Sequence, residues 1–178
     1  VKDGEWTAAV SEGASVNFNN IHFNPHAHGT HTECAGHITE KVHSINQNLK
    51  TFFFLAEIIT VAPENDKEDK IISKKQLQFA LGNKKRDAII LRTIPNTRDK
   101  LSRQYSHTNW TYLKEDAVKF LVSKGVKHLL IDLPSIDKEE DGGELLGHNA
   151  FWNTKGKLRL DATITELIYV SNKIEDGE

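Results

Sequence analysis

Four of the nine histidines fall in a single twelve-residue stretch, HAHGTHTECAGH, which places His26, His28, His31 and His37 around the carboxylate of Glu33. Imidazole nitrogen and carboxylate oxygen together suit zinc, manganese or iron(II). In an extended segment residues two apart point to the same side, so His31 and Glu33 can face one ion. The same residues also fit a surface loop that carries several histidines and no ion. Cys34, the only cysteine, opens a different chemistry, because a thiolate beside the imidazole of His37 or His31 can act as a nucleophile.

A second acidic residue points the same way. In the run from Thr163 to Val170, Ile164, Glu166, Ile168 and Val170 alternate with Leu167 and Tyr169, the pattern of a strand buried on both faces. A carboxylate among such neighbours needs a proton or a partner, and a metal ion is one such partner. The alternative is an edge strand with Glu166 in water. His148 follows an acidic, glycine-rich stretch and precedes Ala150, Phe151 and Trp152. It becomes a ligand candidate where His31, Glu33 and Glu166 converge on it.

The elements that must position these groups read as a mixed α/β domain. Val16, Phe18, Ile21 and Phe23 alternate with a slip at Asn19-Asn20, which predicts a bulged strand over Ser15–Phe23 leading into the histidines. Thr51–Val61 and Asp87–Ile94 are β-branched and aromatic runs closed by prolines, and both predict buried strands. Ser73 can cap a helix through Leu81, stopped at Gly82. Leu113, Ala117, Phe120 and Leu121 recur at helical spacing up to Gly125 and feed an apolar strand over Val126–Leu133, the second half of a βαβ unit. Glu64–Lys70 and Asp137–Gly143 read as solvated loops.

Composition narrows the partners. With 23 Lys and Arg against 25 Asp and Glu, the chain lacks the basic excess that nucleic acid or an anionic membrane surface requires. The longest apolar stretch, Phe52–Val61, is interrupted by Glu57 and falls well short of the roughly 20 residues of a membrane helix. A lone cysteine fits a reducing compartment, so a cytoplasmic address is expected. The length suits one domain over residues 1–178. The start at Val1 and the absence of methionine suggest that an N-terminal segment is missing.

Gly29-Thr30-His31-Thr32-Glu33, followed by His37, resembles the central and later part of the signature H-x-G-T-H-x-D-x-P-x-H of the cyclase family, the metal-dependent hydrolases that include bacterial kynurenine formamidases. GVKHLLIDLPSID, GHNAFW and ITELIYV follow in the family's order, so the resemblance runs from about Trp6 to Val170. It implies a β-rich α/β domain of the swivelling β/β/α type, assembled as a homodimer or higher homo-oligomer. It also implies one or two divalent ions, zinc or manganese.

Carried over residue by residue, the ligands are His26, His31, Glu33, His148 and Glu166, with one ion on His26, His31 and Glu33 and a second on Glu33, His148 and Glu166. His37 takes the place of the general acid/base. An ungapped alignment puts Ala27 at the first ligand, so His26 or His28 must supply it, and Pro25-His26 resembles the family's lead-in. Glu33 is one methylene longer than the family's aspartate, and Ala35 stands at its proline. The implied substrate is a small amide, an aryl formamide such as N-formylkynurenine or a related cyclic amide. Trp110, Trp152 and Phe23 are candidate pocket walls, although plain core packing is the first reading for each. A relative that binds a small ligand without turnover is the alternative from another class.

Overall fold

Burial of the β-branched and leucine-rich runs sets the architecture. The computed structural model describes residues 2–177, and its elements in chain order are β1 (Lys2–Asp3), β2 (Trp6–Thr7), α1 (Pro25–His28), β3 (His31–Cys34), α2 (Ile45–Asn48), β4 (Ala56–Val61), β5 (Glu64–Asp66), β6 (Asp69–Ile72), α3 (Lys74–Leu81), β7 (Ala88–Thr93), β8 (Tyr112–Leu113), α4 (Glu115–Ser123), β9 (His128–Ile131), α5 (Leu146–Trp152) and β10 (Thr163–Glu166). The main sheet runs β3-β10-β9-β7-β4, parallel throughout except that β3 lies antiparallel to β10. A smaller sheet, β5-β6-β8, and the β1-β2 hairpin complete the strands. Among the described residues no helix is long and apolar enough to cross a membrane.

One face of the main sheet carries the core. Ile59, Ile89, Leu91, Leu129, Ile131 and Ile164 pack there with Leu77 and Leu81 of α3, Ala117, Val118 and Leu121 of α4, and Phe151 and Trp152 of α5. Ile89, Leu91, Leu129 and Ile131 are fully buried, and each contributes roughly 1.5–3 kcal/mol of transfer free energy. In the β3-β10 register Glu33 lies opposite Ile164 and His31 opposite Glu166, so these three polar side chains share the core-bearing face.

The helices form where their termini are satisfied. Ser73 and Gln76 make a reciprocal capping box at the start of α3. Glu115 and Asp116 sit in the first turn of α4, where the helix dipole favours negative charge. Gly125, at φ +88°, provides the left-handed residue that stops the chain before β9.

Several expectations require correction. Ser15–Phe23 forms no strand: Phe18 donates its N–H to the Ala8 carbonyl at 3.2 Å and sets its ring against Trp6, but the described residues extend this to no ladder, and Ile21 and Phe23 stay exposed. Thr51–Leu55 is also outside the sheet, because β4 gains its partner only at the Ala56–Ala88 pair. Phe53 is thus 93 % exposed, while Phe54 stacks on His128 at 3.9 Å between ring centroids. Glu64–Lys70 forms most of the β5-β6 hairpin instead of a loop. Leu113 belongs to β8 and not to the helix after it. The last strand ends at Glu166, where Leu167 turns the chain at φ +54°. It lies between β3 and β9, which removes the edge-strand alternative for Glu166.

Candidate metal centre

The histidine-rich segment is folded by local caps. The Asn24 side chain accepts from the His26 N–H at 3.1 Å, and Pro25 opens α1 with its φ already set. This turn brings His26 Nδ1 to 3.3 Å from Glu33 Oε2. His28 points elsewhere: its Nδ1 accepts from the Asn24 N–H at 3.0 Å and its ring lies against Phe23. The structure therefore brings His26, and not His28, to the carboxylate. A 3-10 turn over Ala35–His37 folds His37 back so that its Nε2 lies 3.4 Å from the same Oε2, and the His26 and His37 rings stack at 4.2 Å. Gly36 permits that turn, since a Cβ there would fall 2.1 Å from the His43 carbonyl oxygen.

The remaining donors come from β3, β10 and α5. His31 Nδ1 donates to the Gly29 carbonyl at 3.0 Å, which turns Nε2 towards Glu166 Oε2 at 3.5 Å. His148 Nε2 lies 3.0 Å from Glu33 Oε1 and 3.9 Å from Glu166 Oε1, which also accepts the Ile136 N–H at 3.0 Å. The site thus gathers His26, His31, Glu33, His37, His148 and Glu166. Donor atoms within 4.8 Å of one another form two sets, His26-Glu33-His37 and His31-Glu33-Glu166, with Glu33 in both. His26 and His31 thus fall in different sets, and His37 joins one of them.

Two atoms test whether these residues fit an ion. His31 Nε2 and Glu33 Oε2 are buried and have no hydrogen-bond partner, an arrangement that costs free energy unless something else satisfies them. The spacings of 3.3, 3.4 and 3.5 Å are long for hydrogen bonds. They match the edge of a tetrahedron with bonds near 2.0–2.1 Å, which is about 3.3–3.4 Å. Imidazole and carboxylate donors spaced in this way fit a divalent first-row ion.

The electrostatics follow from this crowding. Burial, then the Glu33 charge, push the Glu166 carboxyl up to about 8. Burial opposes a charge on His148, but its hydrogen bonds to Asp137 and Glu33 and the nearby carboxylates outweigh burial and raise it to about 10. His37 moves the other way: burial lowers it, with Glu33 partly compensating.

Outside the cluster, a cleft of about 730 Å³ opens from His26, His37, His148 and Glu166 towards Tyr105, Trp110 and Tyr169. Trp110 is a wall of this cleft, tied by its indole N–H to the Asp137 carbonyl at 3.0 Å. Trp152 is a core residue behind the His148 ring, and Phe23 is exposed beside His28. Cys34, one residue on from Glu33 in β3, faces the opposite side of the sheet and donates to the His43 carbonyl, so the thiol is turned away from His31 and His37. Asp137 is the site residue that the sequence did not disclose. It is buried in place of being solvated, and it bonds His148 Nδ1 at 2.6 Å.

Comparison with known proteins identifies the fold and the family. The family model described as "Putative cyclase" matches residues 3–138. A structure described as a potential metal-dependent hydrolase with cyclase activity superposes with a TM-score of 0.61 at 15 % identity, over 89 % of this chain and 69 % of its own. A predicted metal-dependent hydrolase from Bacillus stearothermophilus gives 0.62 at 17 %, over 99 % and 72 %. An isatin hydrolase bound to the product analogue thioisatinate gives 0.57 at 10 %, over 88 % and 64 %. At these identities the likeness is one of fold. No curated protein matches in sequence. The family match spans well over half of the chain, and together with the shared fold it shows that this protein belongs to the cyclase family.

Proposed function

We propose that this protein is a metal-dependent hydrolase that cleaves the amide-type C–N bond of a small aryl substrate, an aryl formamide or a related cyclic amide. The observation that carries the reading is the pair of buried, unpartnered donors, His31 Nε2 and Glu33 Oε2, within a cluster of four imidazoles and two carboxylates. One or two ions, zinc first and manganese as the alternative, would be held by His26, His31, Glu33, His148 and Glu166. Bound there, the ion supplies Lewis-acid polarisation of the scissile carbonyl and a water whose pKa is lowered towards about 7.

The chain's own residues supply the rest. Glu33 directs Oε1 towards His148 and Oε2 towards His26 and His37, so both oxygens face the site. Burial favours the neutral imidazole of His37, which lines the cleft with Nε2 3.4 Å from Glu33 Oε2, so that it can take a proton from the attacking water and pass it to the leaving nitrogen. Tyr105, Trp110 and Tyr169 offer flat surfaces for an aryl ring. The isatin hydrolase among the similar folds makes isatin a substrate to test beside an aryl formamide. The family resemblance also makes a homodimer the expected assembly.

The test begins with the metal content of protein purified without chelator, measured by elemental mass spectrometry, in the parent and in His31→Ala and Glu166→Ala. Near-stoichiometric zinc or manganese, absent from both variants, supports the site, and chelator-sensitive release of amine from an aryl formamide or opening of isatin supports the reaction. A parent that takes up neither metal after incubation would refute the reading in favour of a ligand-binding relative.

A further inference from the structure

We propose that Asp137 is the positioning residue of this centre, holding His148 at both its ring and its backbone so that Nε2 faces Glu33. The inference rests on the metal-site reading above. Asp137 Oδ2 accepts from His148 Nδ1–H at 2.6 Å and from the His148 backbone N–H at 3.1 Å, while Oδ1 accepts the Gly147 N–H at 2.5 Å. One buried carboxylate thereby fixes where the side chain starts and which way its ring is turned. A ring freed of the Nδ1 bond could rotate and present carbon to the site.

The surroundings are shaped around this contact. Helix α5 begins after Leu145, at φ +46°, with no side-chain cap of its own, so Asp137 satisfies its first N–H groups from outside the helix. Gly147 is the residue that lets the carboxylate in, because a Cβ there would lie 2.7 Å from Asp137 Oδ1. On its other side the His148 ring is backed by Trp152 at 5.3 Å between centroids, and Trp152 is itself pinned by its indole N–H to the Ala162 carbonyl at 3.0 Å. The neighbouring Ile136 N–H donates to Glu166 Oε1 at 3.0 Å. Two adjacent residues, Ile136 and Asp137, therefore orient a carboxylate and an imidazole of the same centre. Outer carboxylates that hold a ligating histidine in this way fix its tautomer and raise its basicity, and their loss typically weakens metal binding about 10–100-fold.

The experiment compares the parent with Asp137→Asn, Asp137→Ala, His148→Ala and the Asp137→Ala/His148→Ala double variant. Zinc affinity is read by competition with a chromophoric chelator over a pH series and referred to the proton-free site, and folding by circular dichroism. The expected order of affinity is Asp137, then Asn, then Ala, with Ala about 10–100-fold below the parent and no further loss when it is added to His148→Ala. Parental affinity in folded Asp137→Ala, or an equal loss in the His148→Ala background, would overturn the proposal. If the alanine variant does not fold, Asp137→Asn decides: parental affinity there overturns it, and a loss of several-fold upholds it. A second readout needs no metal, namely the downfield Nδ1–H resonance of His148 in metal-free protein, expected in the parent and lost in Asp137→Ala. If the parent binds no zinc, the metal-site reading fails while this resonance still tests the positioning: its loss upholds the proposal, and its persistence unshifted in the variant overturns it.

Discussion

Zinc affinity is expected to rise steeply with pH, by an amount set by the protons that the metal-free cluster holds. Glu166, raised to about 8 by burial and by Glu33, carries a proton at pH 7. So does His148, raised to about 10 by Asp137 and Glu33 against the effect of burial, and its Nε2–H is directed at Glu33 Oε1 at 3.0 Å. A cation using Glu166 and His148 Nε2 must displace both. The logarithm of the apparent affinity then climbs with a slope near two between about pH 6.5 and 7.5, roughly 100-fold per unit, and the slope declines towards one above about 8. Calorimetry in two buffers of different ionisation enthalpy counts the released protons directly. Glu166→Gln is expected to lower the count by one. A slope below about 0.5 in that window would refute the reasoning, since neither proton would be displaced. The same shifts set the folding stability of the metal-free chain. Glu166, whose folded value lies above its ordinary 4.5, becomes destabilising as pH rises from about 5 to 8; His148 contributes fully below its ordinary 6.5 and loses that contribution as pH approaches 10. Metal-free protein is thus expected to lose stability with rising pH, the direction opposite to that of metal affinity.

Other outcomes follow from single contacts. His26→Ala should weaken metal binding while His28→Ala leaves it near the parent value, because only the first ring reaches Glu33; equal losses in chelator competition would contradict the placement. His37→Ala should lower amide turnover by about 10²–10⁴-fold with bound metal retained, and loss of metal from that variant would reassign His37 to the ligands. Ser73→Ala removes the capping box of α3 and is expected to cost about 1 kcal/mol, seen as a fall of roughly 2–4 °C in Tm, with metal content unchanged.

Much of this was legible in the residues wherever a local signal and a tertiary partner coincide. Ser73 and then Gly82 marked α3, because a cap and a stop are short-range devices. The runs around Ile89–Leu91 and Leu129–Ile131 read as strands because sheet neighbours bury them as their composition demands. Ser15–Phe23 alternates equally well and forms no strand, since alternation describes what a strand offers and not whether a ladder of backbone partners lies beside it. Thr51–Leu55 fails for the same reason, as β7 starts too late to pair with it. The site itself was readable where its residues cluster in sequence. Asp137 was hidden because its neighbours are charged, and its only trace was Gly147 just ahead of His148, a vacancy for a carboxylate that arrives from ten residues upstream.

The placement of β3 has a consequence for how the chain folds. Strands β4, β7, β9 and β10 lie side by side in the order in which they occur, so each can dock on the one before through a local crossover. Strand β3 instead returns from near the start of the chain to pair with the last strand, joining His31 to Glu166 and Glu33 to Ile164. Closing a loop of that length costs about 4 kcal/mol of chain entropy beyond a constant term. An ion held jointly by Glu33 and Glu166 would act as a clasp across that closure. Chelation should then speed amide exchange in β3 and its flanking turns first and leave the four parallel strands protected, so that an ion bound for chemistry would also fasten β3 to β10.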